Sequence, residues 1–149
     1  MHYQVAQISA KETLSLRQQV LKPFLHADDC GNEGDDAPTT FHLGLYQAKK
    51  LITICTFLNE PHKNFAAGNP YRLRGMATAP NYQGQAFGQI LLENAIAILR
   101  QKQCDLLWCN ARQRAFKFYE KMGFFYQGEF FDLDRIGPHK VMYKYLNSR

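Results

Sequence analysis

Apolar and polar positions change their period several times along the chain, and each change marks an element. Weak alternation over 3–8 predicts an edge strand. Leu14, Leu16, Val20 and Leu21 supply the apolar contacts of a helix over 11–21, which Pro23 stops. Residues 26–40 are polar, acidic and glycine-containing, and predict a solvated, mobile loop, with a lid over a binding site as the alternative. Alternation over 41–46, a turn at 47–50 and an Ile-, Thr- and Phe-rich run over 51–58 predict a hairpin. After a loop over 59–70 comes a strand over 71–79, ended by Pro80. Residues 83–88 open a helix whose stripe is Phe87, Ile90, Leu91, Ala95, Ile98 and Leu99. The apolar run 105–109 suits a strand buried on both faces. A helix over 112–122 follows, with Ala115, Phe118, Tyr119 and Met122 on one side and Gly123 at its C-terminal end, where positive φ is wanted. Strands over 125–133 and 140–146 close the chain, joined by residues 134–139.

A strand-rich chain with helices after its first and fourth strands predicts a mixed α/β sheet. At 149 residues and 46% hydrophobic, the chain predicts a single domain over 1–149. No apolar run reaches the length of a membrane span, and the first residues lack the pattern of a secretory signal. Cys30, Cys55, Cys104 and Cys109 show no C-x-x-C spacing, so free thiols in a reducing cytoplasm are expected. Charge is uneven. The segment 28–36 holds five acids and no Lys or Arg, which leaves +10 on the rest of a chain whose formal charge is +5. A basic body suits a polyanionic small molecule. Nucleic acid is disfavoured, because no Lys/Arg block or aromatic-plus-basic signature concentrates that charge. The acids of 28–36 do not fit the calcium-loop spacing, and no metal is expected.

The turn Gln83-Gly84-Gln85-Ala86-Phe87-Gly88 carries the first chemical hint. The first N–H groups of a helix have no partner inside it, and its dipole favours negative charge there. Glycine lets a phosphate approach the backbone, and Gln83 and Gln85 add neutral donors. A glycine before a helix is also an ordinary turn residue. The dinucleotide fingerprint and the nucleotide P-loop are both absent.

This turn, together with Phe118-Tyr119-Glu120-Lys121-Met122-Gly123-Phe124, resembles the acetyl-CoA-binding core of the GNAT superfamily of N-acetyltransferases. The family pattern Gln/Arg-x-x-Gly-x-Gly/Ala is matched at Gln83 and Gly88, with Ala86 in place of the central glycine. That substitution is tolerable if Ala86 is already helical. The second segment is similar to the family's F-Y-x-x-x-G-F, at the usual separation. The resemblance is strong over 71–125 and implies the acyl-CoA N-acyltransferase fold, a mostly antiparallel central sheet flanked by helices. It also implies two splayed strands that admit the pantetheine arm, and acetyl-CoA as acyl donor. Met76, Ala77 and Thr78 would line that arm through their backbone, and Gln83, Gly84, Gln85, Ala86, Phe87 and Gly88 would hold the pyrophosphate. Tyr119 would give a proton to the departing thiolate, although a core Tyr on an apolar helix face explains the same residue. Asn110 and Arg112, read as following the fifth strand, are a candidate contact to the cofactor arm and a candidate phosphate contact or helix start.

The usual base, a Glu near the end of the fourth or fifth strand, is missing from those strands. His139, in the turn before the last strand, and His42 are replacements of suitable intrinsic pKa. Glu129, Asp132 and bulk water stay open. Arg72 and Arg74, two residues apart on one strand, face either an acidic acceptor group or solvent. Cys109 as nucleophile is disfavoured, since the family transfers directly within a ternary complex. The expected function is acetyl transfer to the primary amine of a small molecule or peptide, with a homodimer compatible. The competing readings are a non-catalytic acyl-CoA sensor, suggested by Ala86 and the missing base, and a basic RNA-associated module.

Overall fold

The computed structural model describes residues 2–146. Seven strands and three α-helices alternate: β1 Gln4–Ile8, α1 Ala10–Leu16, β2 Phe41–Gln47, β3 Lys50–Leu58, β4 Pro70–Thr78, α2 Phe87–Gln101, β5 Leu106–Arg112, α3 Phe116–Lys121, β6 Phe125–Leu133 and β7 Gly137–Tyr145. The ladders follow the order β1-β2-β3-β4-β5-β7-β6. This is the mixed, mostly antiparallel sheet expected from the sequence. The chain forms two compact units, Met1–Leu58 with Leu73–Ile98, and Asn59–Arg72 with Leu99–Arg149.

In the first unit, β1 and β3 flank β2 antiparallel. Gln47 pairs with Lys50 around a two-residue turn in which Ala48 and Lys49 both have positive φ (50° and 67°). Such a turn matches the twist of the flanking strands. Phe41 stacks on its cross-strand partner Phe57 at 5.0 Å. α1 starts on a reciprocal capping box between Ser9 and Glu12 and runs into a π-helical segment, Arg17–Leu21. The buried stripe of α2 is Phe87, Leu91, Leu92, Ala95, Ile96 and Leu99. Leu92 and Ile96 therefore replace the expected Ile90 and Ile98, which are only half-buried.

Most of the acidic segment 26–40 is exposed, as a solvated loop requires, but two of its residues are anchored. Asp35 and Cys30 are buried. The Arg17 guanidinium, 2% exposed, donates from Nη1 to Asp35 Oδ2 at 2.7 Å and from Nη2 to Asp35 Oδ1 at 3.1 Å. It also donates to the Cys30 carbonyl and to Thr56 Oγ1. Burial alone would raise the Asp35 pKa, but these bonds and the Asn32 N–H outweigh it and hold the carboxyl below its ordinary value. A bidentate pair of this kind is the geometry in which a buried charge is tolerated.

In the second unit, β4 pairs parallel with β5 through Pro70↔Leu106, Tyr71↔Leu107 and Arg72↔Trp108, where the ladder ends. β5 then pairs antiparallel with β7 over its whole length, Leu106↔Tyr145 to Arg112↔His139. β6 pairs with β7 but bulges between Gln127 and Phe131. Leu106, Trp108 and Val141 form a local core covered by Phe65, Ala67, Phe131 and Tyr143. Asp105 fastens the loop before β4 by accepting from the Gly68 and Asn69 N–H groups at 2.6 and 2.9 Å.

Candidate functional site

β4 carries a left-handed residue at Gly75 (φ 65°), just before Met76-Ala77-Thr78. A Cβ at Gly75 would lie 3.2 Å from Arg17 Nε. Ala77 is buried, whereas Met76 and Thr78 are half-exposed, and the Thr78 hydroxyl pairs with that of Thr53 at 3.1 Å. A 3-10 turn, Pro80–Tyr82, then leads to the glycine turn.

The turn is built differently from the expectation. Gln83 Nε2 donates to the Thr78 carbonyl at 2.9 Å, and Gln85 Nε2 donates to the Asn81 carbonyl at 3.3 Å. Both amides brace the loop and do not point outward as free donors. Ala86 is not helical. It holds φ 69° immediately before α2, and its carbonyl accepts the first helical bond, from the Ile90 N–H at 3.0 Å. An L-residue there costs roughly 1–2 kcal/mol relative to glycine. Gly84 also has positive φ (77°), and a Cβ on it would meet nothing within 4 Å. Residues 83–86 are exposed, Phe87 is buried, and Gly88 lies half-buried in the first helical turn. That turn contains no acidic residue to oppose the positive end of the helix dipole.

The second unit holds the remaining candidates. Tyr119 is buried (6% exposed), with its ring 5.1 Å from Phe118 and 5.2 Å from Phe124. Its hydroxyl is hydrogen-bonded to the Cys109 thiol. Complete burial pushes that thiol up to about 12, which removes Cys109 as a nucleophile. The four cysteines are all free and buried. Gly123 has φ 89°. Its N–H bonds the Glu120 carbonyl at 3.0 Å, and the Phe124 N–H bonds the Tyr119 carbonyl at 2.9 Å. This is a Schellman cap, completed by the Tyr119–Phe124 ring contact.

Asn110 and Arg112 lie within β5, whose strand runs on to Arg112 and does not end before them. Asn110 is half-buried, and its side chain makes no hydrogen bond among the described residues. Burial first, and then Arg114, lowers the Arg112 pKa, and Tyr119 opposes them. β7 begins at Gly137, so His139 is a strand residue, 3% exposed, and not a residue of the preceding turn. It stacks on Phe131 at 5.6 Å. Its Nδ1 donates to the Gly137 carbonyl at 2.8 Å, which leaves Nε2 as the basic nitrogen. His42 is engaged at both ring nitrogens, with Thr56 Oγ1 at 2.7 Å and the Asp35 carbonyl at 3.0 Å.

Directly opposed residues of a ladder point to the same side. Cys109↔Met142 and Arg112↔His139 therefore lie on opposite faces of the β5–β7 pair. Tyr119, bonded to Cys109, is on one face and His139 is on the other.

Sequence reasoning missed one carboxylate. Glu60, in the loop after β3, accepts from Arg72 Nη1 at 3.3 Å, and its carbonyl accepts from Trp108 Nε1 at 2.9 Å. Arg72 also lies 5.2 Å from the Trp108 ring centroid, so it has structural partners and is not a free acceptor contact. No residue pattern within 59–70 signals this pairing. Among the described residues, no cluster of His, Cys, Asp or Glu could hold a metal, and no helix is long and apolar enough to cross a membrane.

The sequence profile of the acetyltransferase (GNAT) family matches residues 5–124. The uncharacterized N-acetyltransferase YitI of Bacillus subtilis (strain 168) is 36% identical over 145 residues, covering 97% of both chains. A solved structure from Lactobacillus plantarum, described as an N-acetyltransferase, superposes with a TM-score of 0.78 at 23% identity, over 99% of this chain and 100% of its own. An aminoglycoside 6'-N-acetyltransferase complexed with coenzyme A gives 0.76 at 11% identity, over 98% of both. At such identities the structures establish the fold alone. The profile and the curated relative establish more: the chain belongs to the GNAT family, and it is an acyl-CoA-dependent N-acetyltransferase by class.

Proposed function

We propose that the whole chain, 1–149, works as one domain that moves an acetyl group from acetyl-CoA directly to a primary amine of a small molecule or peptide. The observation that carries the donor assignment is the turn 84–86. It is exposed, it is held in left-handed conformation at two of its three residues, and it opens a 15-residue helix with no acid in its first turn. Strain kept at a solvent-facing turn points to a role for its backbone, and donors arrayed there suit a pyrophosphate. Met76, Ala77 and Thr78 would take the pantetheine amides through the strand backbone, and Asn110 would offer its uncommitted amide to the same arm.

In this reading the amine nitrogen attacks the thioester carbonyl carbon. The C–S bond then breaks, and the thiolate takes the Tyr119 hydroxyl proton. The amine loses its proton to His139 Nε2. The assignment asks for an acid at the leaving sulfur and a base at the nucleophilic nitrogen. A homodimer fits the same reading. The acyl donor is tested by calorimetric titration of acetyl-CoA and of coenzyme A into wild type and Gly88→Glu. Saturable binding that the variant loses supports the turn as the pyrophosphate site, whereas no binding of either ligand to the wild type at near-millimolar concentration rejects the reading.

A further inference from the structure

We propose that Arg17 is a positioning residue for β4. Its buried guanidinium sets the left-handed turn of the strand at Gly75, and with it the course of Met76-Ala77-Thr78 beyond that turn. The role rests on the donor reading above, in which this stretch takes the pantetheine arm.

Three observations converge on Arg17. At this residue α1 gives way to the π-helical segment Arg17–Leu21, which closes with the bond from the Lys22 N–H to the Arg17 carbonyl at 3.0 Å. Such turns are rare and gather at functional sites. The second observation is an orphaned donor. Nη1 donates to the Cys30 carbonyl at 3.1 Å and to Asp35 Oδ2 at 2.7 Å, and Nη2 to Asp35 Oδ1 at 3.1 Å and to Thr56 Oγ1 at 2.9 Å. The remaining N–H, on Nε, is buried and has no partner among the described residues. A buried donor left without a partner costs stability and calls for an explanation. The third observation supplies one. A Cβ at Gly75 would lie 3.2 Å from Nε, with Arg17 Cγ and Cζ at 3.9 and 4.0 Å. The unbonded edge of the guanidinium therefore packs against the one residue of β4 that has positive φ (65°).

The guanidinium cannot slide away from Gly75. Asp35 grips it with both carboxylate oxygens, and the group that holds it at Thr56 is itself fixed. Thr56 Oγ1 accepts from Arg17, so its own proton goes to His42 Nδ1 at 2.7 Å. His42 then carries its hydrogen on Nε2 and donates it to the Asp35 carbonyl at 3.0 Å. The bonds run in one closed direction, from Arg17 through Thr56 and His42 to Asp35, whose carboxylate returns to Arg17. A buried ion pair stabilises no better than apolar side chains of the same volume, so stability alone does not call for this ring. Fixing a side chain in one place against Gly75 does.

Calorimetric titration of acetyl-CoA and of 3′-phospho-ADP, which is coenzyme A without its pantetheine arm, tests the proposal in wild type and Arg17→Lys. NMR couplings of the Gly75 amide report its φ in the same two proteins. Lysine keeps the charge and loses the fork. Arg17→Lys is expected to weaken acetyl-CoA by about tenfold, to leave 3′-phospho-ADP unchanged, and to shift the Gly75 φ. Equal weakening of both ligands, no weakening of either, or an unchanged Gly75 would overturn the proposal. If the wild type binds neither ligand, the donor reading fails, and the Gly75 φ alone decides whether Arg17 sets the turn. If Arg17→Lys fails to fold, Asp35→Asn, which keeps the shape and removes the charge of the grip, decides by the same measurements.

Discussion

The two segments that carry the family resemblance have different physical explanations in the structure. Residues 118–124 are accounted for by packing. Gly123 takes positive φ, the Phe124 N–H bonds the Tyr119 carbonyl, and the two rings meet at 5.2 Å, so F-Y-x-x-x-G-F describes a well-made helix end. Residues 83–88 are not accounted for in this way. The turn is exposed, nothing lies over Gly84, and Ala86 holds a conformation that costs an alanine energy. A motif that the fold already explains says little about chemistry, whereas a strained, solvent-facing one says more. The match at Tyr119 is therefore weaker support for a role than its residue identities suggest, and the less perfect match at the turn is stronger support.

The largest effect that could break this contrast is at Tyr119. Tyr119→Phe keeps the ring contacts and removes the hydroxyl. A catalytic phenol predicts a fall in kcat of about 10²–10⁴-fold, with stability changed by about 1 kcal/mol through the lost bond to Cys109. A steady-state rate within twofold of wild type would reduce Tyr119 to a capping residue. Gly88→Glu should follow, weakening acetyl-CoA by about 100-fold, on the order of 3 kcal/mol, by placing a carboxylate where the pyrophosphate would bind. Its thermal midpoint should stay close to wild type, and a large drop there would make the binding loss uninformative.

Gly123→Ala probes the structural side of the contrast. Positive φ and a Cβ placed 2.6 Å from Lys144 Nζ predict a loss of roughly 1–2 kcal/mol. The Lys144 bond to the Met122 carbonyl is disturbed with it. Urea denaturation should register this loss while the dissociation constant for acetyl-CoA holds. The smallest effect is expected at Ala86→Gly. Relief of the left-handed strain outweighs the extra freedom glycine gives the unfolded chain, for a net gain of about 0.5–1 kcal/mol. Cofactor affinity should be unchanged or tighter. A destabilised Ala86→Gly protein would show that the turn is not strained.

Much of this protein follows from local sequence. Alternation and β-branched runs place β2 and β3 within a residue of their ends, because the period of a half-buried strand is written in its own side chains. Gly123 takes the conformation its place after a helix demands, and that too is local. Tertiary structure decided what depends on distant partners. Arg17 and Asp35 are eighteen positions apart, and both are charged residues in segments that read as amphipathic or solvated, yet they meet as a buried bidentate pair. Glu60 finds Arg72 and Trp108 only when its loop folds back on β4 and β5. His139 is buried because β7 begins at Gly137, a start set by pairing with β5 and β6 and not by its own residues. Ala86 is left-handed because the chain must turn from Tyr82 into α2, a demand of the loop that overrides the preference of its side chain. Hydrophobic period is a property of neighbours in sequence. Burial of charge, the start of a strand and the hand of a turn are settled by what arrives from elsewhere in the chain.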